Sequence, residues 1–330
     1  MREESKSLMK LLKGERVYKP PLWEVWFAMW EFFKRRYGDY GKIEDRIKMA
    51  EDLNMAAIPL GSIPIGLSFT KSEETSSGEK RYAGGLLENM EQLEKIPLPD
   101  WSELKERYKK SQEVIKNKGF VSWITLLWCF HGIATSMGLE NFCYKLYDDY
   151  EFIDNAFEWI EKRNREAIKE VISYVKPDFV LFDGDCAYKT GLMVRPEIFR
   201  KLVYEKTEKT VSLLKELDIP YTFHTDGKLD DVIPILIELG FSAVHGCEKQ
   251  ANDLEYLVEK FGDDIVLVGN MDVVFLSQAK PEEVERETLK MLETGSKKGK
   301  FVAACNTSPQ DYIPEENYLT FVETIKKFRR

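Results

Sequence analysis

Three histidines occur in 330 residues, and two of them, His224 and His245, fall in short polar patches that directly follow apolar, β-rich runs. Similar patches recur along the second half of the chain: Asp183-Gly184-Asp185, His224-Thr225-Asp226-Gly227, His245-Gly246-Cys247-Glu248, Gly269-Asn270-Met271-Asp272 and Cys305-Asn306-Thr307. A histidine in such a place is commonly a structural hydrogen bonder, and a free cysteine a small buried hydrophobe. Imidazole, thiolate and carboxylate brought to one face are also what a zinc site requires. The strand ends must therefore converge, and the third histidine, His131, follows another such run.

The elements that would bring them together are legible from residue 177 onward. Apolar runs at 179–182, 221–225, 243–247, 265–268 and 301–305 alternate with amphipathic stretches. In one of these, 196–217, Pro196 suits a first helical turn, and Phe199, Leu202, Val203, Val211, Leu214 and Leu217 recur at helical spacing. Strands joined by helical crossovers pair in parallel, in a doubly wound sheet or a closed barrel. Three further runs at 22–27, 55–60 and 120–127 bring the count to eight, the number at which a parallel sheet closes. The expected fold is α/β, a single (β/α)8 TIM barrel over residues 1–330 with an N-terminal helical extension and an insertion after strand 2. The insertion carries KSEETSSGEKR at 71–81, expected as a surface loop that is either a lid or a solvated excursion. In a barrel of this kind the polar residues at the carboxyl ends of the strands build the active site.

Composition narrows the setting. The charge balance is -9, with 48 basic against 57 acidic residues interspersed along the chain, which argues against a nucleic-acid partner. Five scattered cysteines and the charged start MREESKSLMK point to a reducing cytoplasm. The most apolar run, 120–130, is too short for a bilayer span of roughly 20 residues, so no membrane association is expected. No motif encodes an oligomeric state, and a homodimer is among those open to the chain.

Several collinear segments resemble a known family: GERVYKPPLWEVW, YAGG at 82–85, GDCAYKTGLMVRPEIFRKLV, YTFHTDG, VLVGNMD, and FVAACNTSP followed by IPEEN. Together they resemble the uroporphyrinogen decarboxylase superfamily, and within it the zinc methyltransferases that serve corrinoid proteins. The resemblance implies a single (β/α)8 barrel and a zinc ion held by a histidine, a cysteine two residues later and a cysteine near the C-terminus. His224 and Cys305 match the first and last. Asp226 stands where the middle cysteine would be, which leaves Asp226 or Cys247 to replace it, and Glu248 falls where those proteins carry an acidic residue close to the metal. The decarboxylase branch uses arginines in its first strand-loop and an aspartate after the second strand. This chain has Trp23, Val25, Trp26, Phe27 and Met29 in the one place and Pro59, Leu60, Gly61 and Ser62 in the other. A polycarboxylate would find no guanidinium clamp there.

A carboxylate in place of a thiolate hardens the ligand set and suits an oxygen substrate. The expected activity is methyl transfer from a small methylated substrate, preferably a methoxylated aromatic, to the cobalt(I) of a cobalamin cofactor carried by a separate corrinoid protein. Metal-independent decarboxylation and methylation of a thiol such as coenzyme M are the alternatives. The expected metal ligands are His224, Glu248, Cys305 and Asp226. Asp183, Asp185 and His245 would orient the shell or supply a proton. Trp23, Trp26, Phe27, His131, Tyr188 and Asn270 would face substrate, although the aromatic cluster at 23–33 fits an ordinary core as well.

Overall fold

The protein is described from a computed structural model covering residues 1–74 and 80–330. Its strands in chain order are β1 (Ala57–Ser62), β2 (Thr70–Glu74), β3 (Lys80–Gly85), β4 (Val121–Leu127), β5 (Phe179–Asp183), β6 (Ala187–Tyr188), β7 (Gly191–Leu192), β8 (Tyr221–His224), β9 (Ala243–His245), β10 (Val266–Met271) and β11 (Phe301–Cys305). Seven of them form one parallel sheet in the order β1-β4-β5-β8-β9-β10-β11, while β2-β3 and β6-β7 are separate antiparallel pairs. The seven are sequential neighbours because each is followed by a helical crossover, the longest being Pro196–Glu216 between β7 and β8. They are buried on both faces, which is why they read in the sequence as unbroken apolar runs.

Alternation along the strands sorts the side chains. Ala57, Val121, Trp123, Phe179, Leu181, Ala243, Val266, Val268, Val302 and Ala304 form one buried cluster, joined by Trp23 and Val25. Leu8, Leu11 and Leu12 of the N-terminal helix Glu3–Leu12 belong to the same cluster, so this expected extension packs against the interior. The residues between, including Phe182, Phe223 and Val244, face the surrounding helices in the larger core. The interior is a packed core, not a channel, and chemistry is left to the carboxyl ends of the strands.

Two expectations change. The stretch 22–27 is not a ladder strand. Leu22 makes isolated bridges to both Met55 and Ala303; the Trp23 N–H donates to the Ala303 carbonyl at 3.0 Å and the Ala56 N–H to the Leu22 carbonyl at 2.8 Å. This segment thus links β11 to the approach to β1 in the place of an eighth strand. Pro20 and Pro21 have no N–H to donate, which limits the pairing.

The insertion is not an irregular loop: on either side of residues 75–79, which lie outside the described residues, 70–74 and 80–85 pair as a hairpin. Its base is fixed to the helix Cys129–Met137. The Tyr82 hydroxyl donates to the Thr135 carbonyl at 2.8 Å, and a Cβ on Gly85 would collide with the backbone of Ser136, Met137 and Gly138. Gly85→Val is therefore expected to undock the hairpin, exposing 70–85 to limited proteolysis while the global unfolding midpoint moves little.

No helix among the described residues is long and apolar enough to cross a membrane. All five cysteines are free.

Candidate metal centre

Above the apolar interior lies a polar layer. Register places Asp183 opposite His224 and His224 opposite His245, so the ends of β5, β8 and β9 meet at one point of the mouth. His224 Nε2 is 3.6 Å from Asp185 Oδ1 and 3.8 Å from Asp226 Oδ1. One ligand atom from each of Asp185, His224 and Asp226 can be chosen so that all lie within 4.8 Å of one another. The turn after β8 is held in place by its backbone. The Asp226 N–H donates to Asp185 Oδ1 at 3.0 Å, and the Gly227 N–H donates to Glu248 Oε2 at 2.7 Å. Asp185 is held in turn by its own N–H, which donates to His131 Nδ1 at 3.2 Å.

The imidazole pair determines which nitrogen of His224 is free. His245 Nε2 lies 3.1 Å from the Cys305 carbonyl, which can only accept, so His245 carries its proton on Nε2. Burial holds His245 well below its usual pKa, with His224 adding to the effect, so the ring is neutral and its Nδ1 is bare. His245 Nδ1 is 2.7 Å from His224 Nδ1, which must therefore be the donor. His224, pushed down to about 3 by burial and by His131, is likewise neutral. Its Nε2 lone pair is left facing Asp185 and Asp226, the tautomer a metal ligand needs.

The electrostatics favour a proton or a cation at this point. Asp226 Oδ1 is buried without a hydrogen-bond partner. Burial, then Asp185, Glu248 and Asp183, push Asp226 up to about 7. Burial and Asp185 push Asp183 up to about 6, with His131 opposing. An orphaned carboxylate oxygen and an imidazole lone pair that face each other repel unless a proton or cation lies between them. Imidazole nitrogen and carboxylate oxygen are both donor types that zinc accepts.

The remaining expected residues are distributed as follows. Of Asp226 and Cys247, it is Asp226 that stands with His224. The Cys247 thiol is buried away from it and pushed up to about 12. Glu248 anchors the Gly227 amide and lies outside the triad. Cys305 also lies outside it: Val302 and Ala304 point inward, while Cys305 shares the outer layer with Phe301 and Ala303. The Cys305 N–H donates to Glu24 Oε2 at 3.1 Å. His245 is buried behind His224, where it positions that ring. Asp185, expected to orient the shell, stands among the three residues whose atoms are close enough to hold an ion together.

Of the aromatic residues, Trp26 stands edge-on to His224 with ring centroids 4.5 Å apart and forms a wall of the site. Trp23, fully buried against Trp123 and Phe179, and Phe27, packed on Phe32 and Tyr318, are core residues without access to a substrate. Tyr188 is exposed on the β6-β7 hairpin. Asn270 lines a cavity of about 480 Å³ against Met291 and Lys290, on the helix side of the sheet. Asp272 caps the helix Val273–Gln278 and Asn306 accepts from the Val273 N–H, so both support the loops.

Sequence reasoning missed Glu24. It is buried between the Cys305 amide and the Tyr318 hydroxyl, which donates to its Oε1 at 3.3 Å, and burial raises it to about 7. The signal was a single charge inside the apolar run PPLWEVW. Because the unfolded chain releases this proton near pH ~4.3, the folded protein binds more protons between pH 4.3 and 7, and stability falls as pH rises through that window. Urea unfolding at pH 5 and pH 8 is expected to show this loss in the wild type and a smaller one in Glu24→Gln.

A strand-end site on a parallel α/β sheet that curls around a packed interior defines a barrel-like α/β architecture. The chain belongs to the uroporphyrinogen decarboxylase (URO-D) family, whose model matches residues 91–328. Its structure is similar to that of a methyltransferase from Methanosarcina mazei, at 15% sequence identity and a TM-score of 0.77, over 99% of each chain. It is also similar to a B12-independent methionine synthase from Shewanella sp. W3-18-1, at 14% identity and a TM-score of 0.59, over 95% of each chain. A comparison with curated proteins by sequence finds no match.

Proposed function

We propose that the protein is a zinc-dependent methyltransferase that takes a methyl group from a small methylated substrate, a methoxylated aromatic first among them, and delivers it to the cobalt(I) of a corrinoid held by a separate protein. The observation that carries this reading is the meeting of Asp185, Asp226 and the bare Nε2 of His224 at the mouth. The shared fold with the Methanosarcina mazei methyltransferase supports it.

Asp185, His224 and Asp226 would hold the ion, which when bound supplies Lewis acidity toward an oxygen of the substrate. The chain's own residues do the rest. His245 keeps the His224 proton on Nδ1, and Glu248 fixes the turn that carries Asp226. Trp26 shields the imidazole pair and offers an aromatic edge to the substrate ring. Burial raises Asp183 to about 6, closer to neutrality than an ordinary carboxyl, so the minor fraction that carries a proton could supply the one a phenolate leaving group with a conjugate-acid pKa near ~10 needs.

Metal analysis of protein purified without added zinc should find about one zinc per chain. Chelation should abolish the decay of cobalt(I) absorbance seen with a corrinoid carrier and a panel of methyl ethers, methylamines and methyl thiols. Full turnover by metal-free protein overturns the reading, and decarboxylation that survives chelation would put a metal-independent lyase in its place.

A further inference from the structure

Exposed aromatic side chains gather on one part of the rim. Between the hairpin 70–85 and the helix Leu139–Asp148 lies a groove of about 540 Å³, lined by Tyr82, Met137, Leu139 and Tyr144 and by the glycines Gly84 and Gly85. Tyr82 is 53% exposed, Tyr144 64%, Tyr147 70% and Leu86 42%. Tyr144 and Tyr147 stand three residues apart on that helix and so share a face. Exposed apolar residues scattered singly are ordinary, whereas four beside one concavity mark an interaction surface. The Tyr82 ring is set in advance, because its hydroxyl is already held by the Thr135 carbonyl.

The patch belongs to the mouth. The hairpin follows the carboxyl end of β1, and the helices Cys129–Met137 and Leu139–Asp148 both follow that of β4, before Tyr150–Ala167 returns the chain toward β5. β1 and β4 are neighbours in the sheet. The helix Cys129–Met137 joins patch to centre: His131 in its first turn accepts from the Asp185 N–H, and the Thr135 and Ser136 carbonyls near its end hold the hairpin.

We propose that this groove and its tyrosines are the docking surface for the protein that carries the methyl-accepting corrinoid. The inference rests on the methyl-transfer reading, in which cobalt reaches the centre on another protein, and it names the surface that receives that protein. A small molecule bound at Asp185, His224 and Asp226 leaves Tyr144 and Tyr147 in water, whereas a protein lowered over the mouth lies against the rim. Tyrosine is a side chain that interfaces favour at their centre, since it buries a large area at little cost in conformational freedom.

The test compares the full-length, zinc-loaded wild type with the double variant Tyr144→Ala, Tyr147→Ala, whose exposed positions leave the core untouched. The purified corrinoid carrier of the cobalt(I) assay, in its cobalt(II) form, is titrated into each by interferometry, and cobalt(I) decay is followed with that carrier and with free cob(I)alamin. The variant is expected to bind the carrier at least about tenfold more weakly and to show a KM for it raised as much, with kcat and the turnover of free cob(I)alamin unchanged. Ala83→Trp, which fills the groove, should do the same. Equal carrier affinity in wild type and variants, no carrier binding by the wild type, or a dimer of this chain that the variants dissolve overturns the proposal. If carrier binding is lost in the variants while the wild type methylates neither acceptor, methyl transfer falls and the docking surface stands.

Discussion

His224→Ala is expected to be isolated without bound metal and without measurable methyl transfer, yet folded. The side chain supplies the one neutral nitrogen of the cluster, and the carboxylates of Asp185 and Asp226 without it would form an open acidic pair. Removing a group that merely orients a ligand costs roughly 10–100-fold in metal affinity, and removing the ligand itself must cost more. The fold should survive, because the main damage is to leave His245 Nδ1 without its donor, about 1–3 kcal/mol against a typical stability of about 5–15 kcal/mol. Zinc content by mass spectrometry and circular dichroism of the same sample check both halves of the expectation. Wild-type zinc content in the variant would place the ion elsewhere.

His245→Phe should be the most damaging change to a side chain that touches neither metal nor substrate. Phenylalanine fills the buried space but removes both nitrogens, so the Cys305 carbonyl loses its donor and the His224 Nδ1–H its acceptor. His224 then divides between tautomers, and metal affinity, measured by competition with a chromophoric chelator, is expected to fall roughly 10–100-fold. Cys305→Ser should behave differently. The link to His245 runs through the Cys305 carbonyl, which serine retains, so zinc affinity should stay at the wild-type level. An unchanged affinity in His245→Phe would remove the tautomer from any role in binding.

The sheet was largely legible because parallel strands covered on both faces must be apolar throughout. Runs such as 179–182 and 301–305 stand out against the amphipathic helices between them. The stretch at 22–27 shows the same apolarity but no ladder, since prolines ahead of it cannot donate and its bonds reach both neighbours only around Leu22. The hairpin at 70–85 was hidden for the opposite reason. Its described residues at 70–74 are all exposed, so no buried face leaves an alternating pattern to read.

In the site, the strand ends pointed to His224 and Asp226 as ligands and to Asp185 as an orienting group, and these three stand close together because parallel strands send their termini to one end of the sheet. Side-chain direction was less accessible. Gly246 at φ +127° and Cys247 at φ +30° turn the chain sharply after β9, so the alternation that places His245 does not continue to Cys247 and Glu248. For Cys305 strict alternation bears on side-chain direction. It sends the thiol toward the outer layer with Phe301, and a family resemblance by itself does not register that.

X-ray absorption at the zinc edge of the metal-loaded protein tests the proposed ligand set most directly. Nitrogen and oxygen scatterers at about 2.0–2.2 Å, with the multiple-scattering signature of imidazole, are expected from Asp185, His224 and Asp226. A sulfur scatterer at about 2.3 Å would bring Cys305 or Cys247 to the ion and contradict the centre described above.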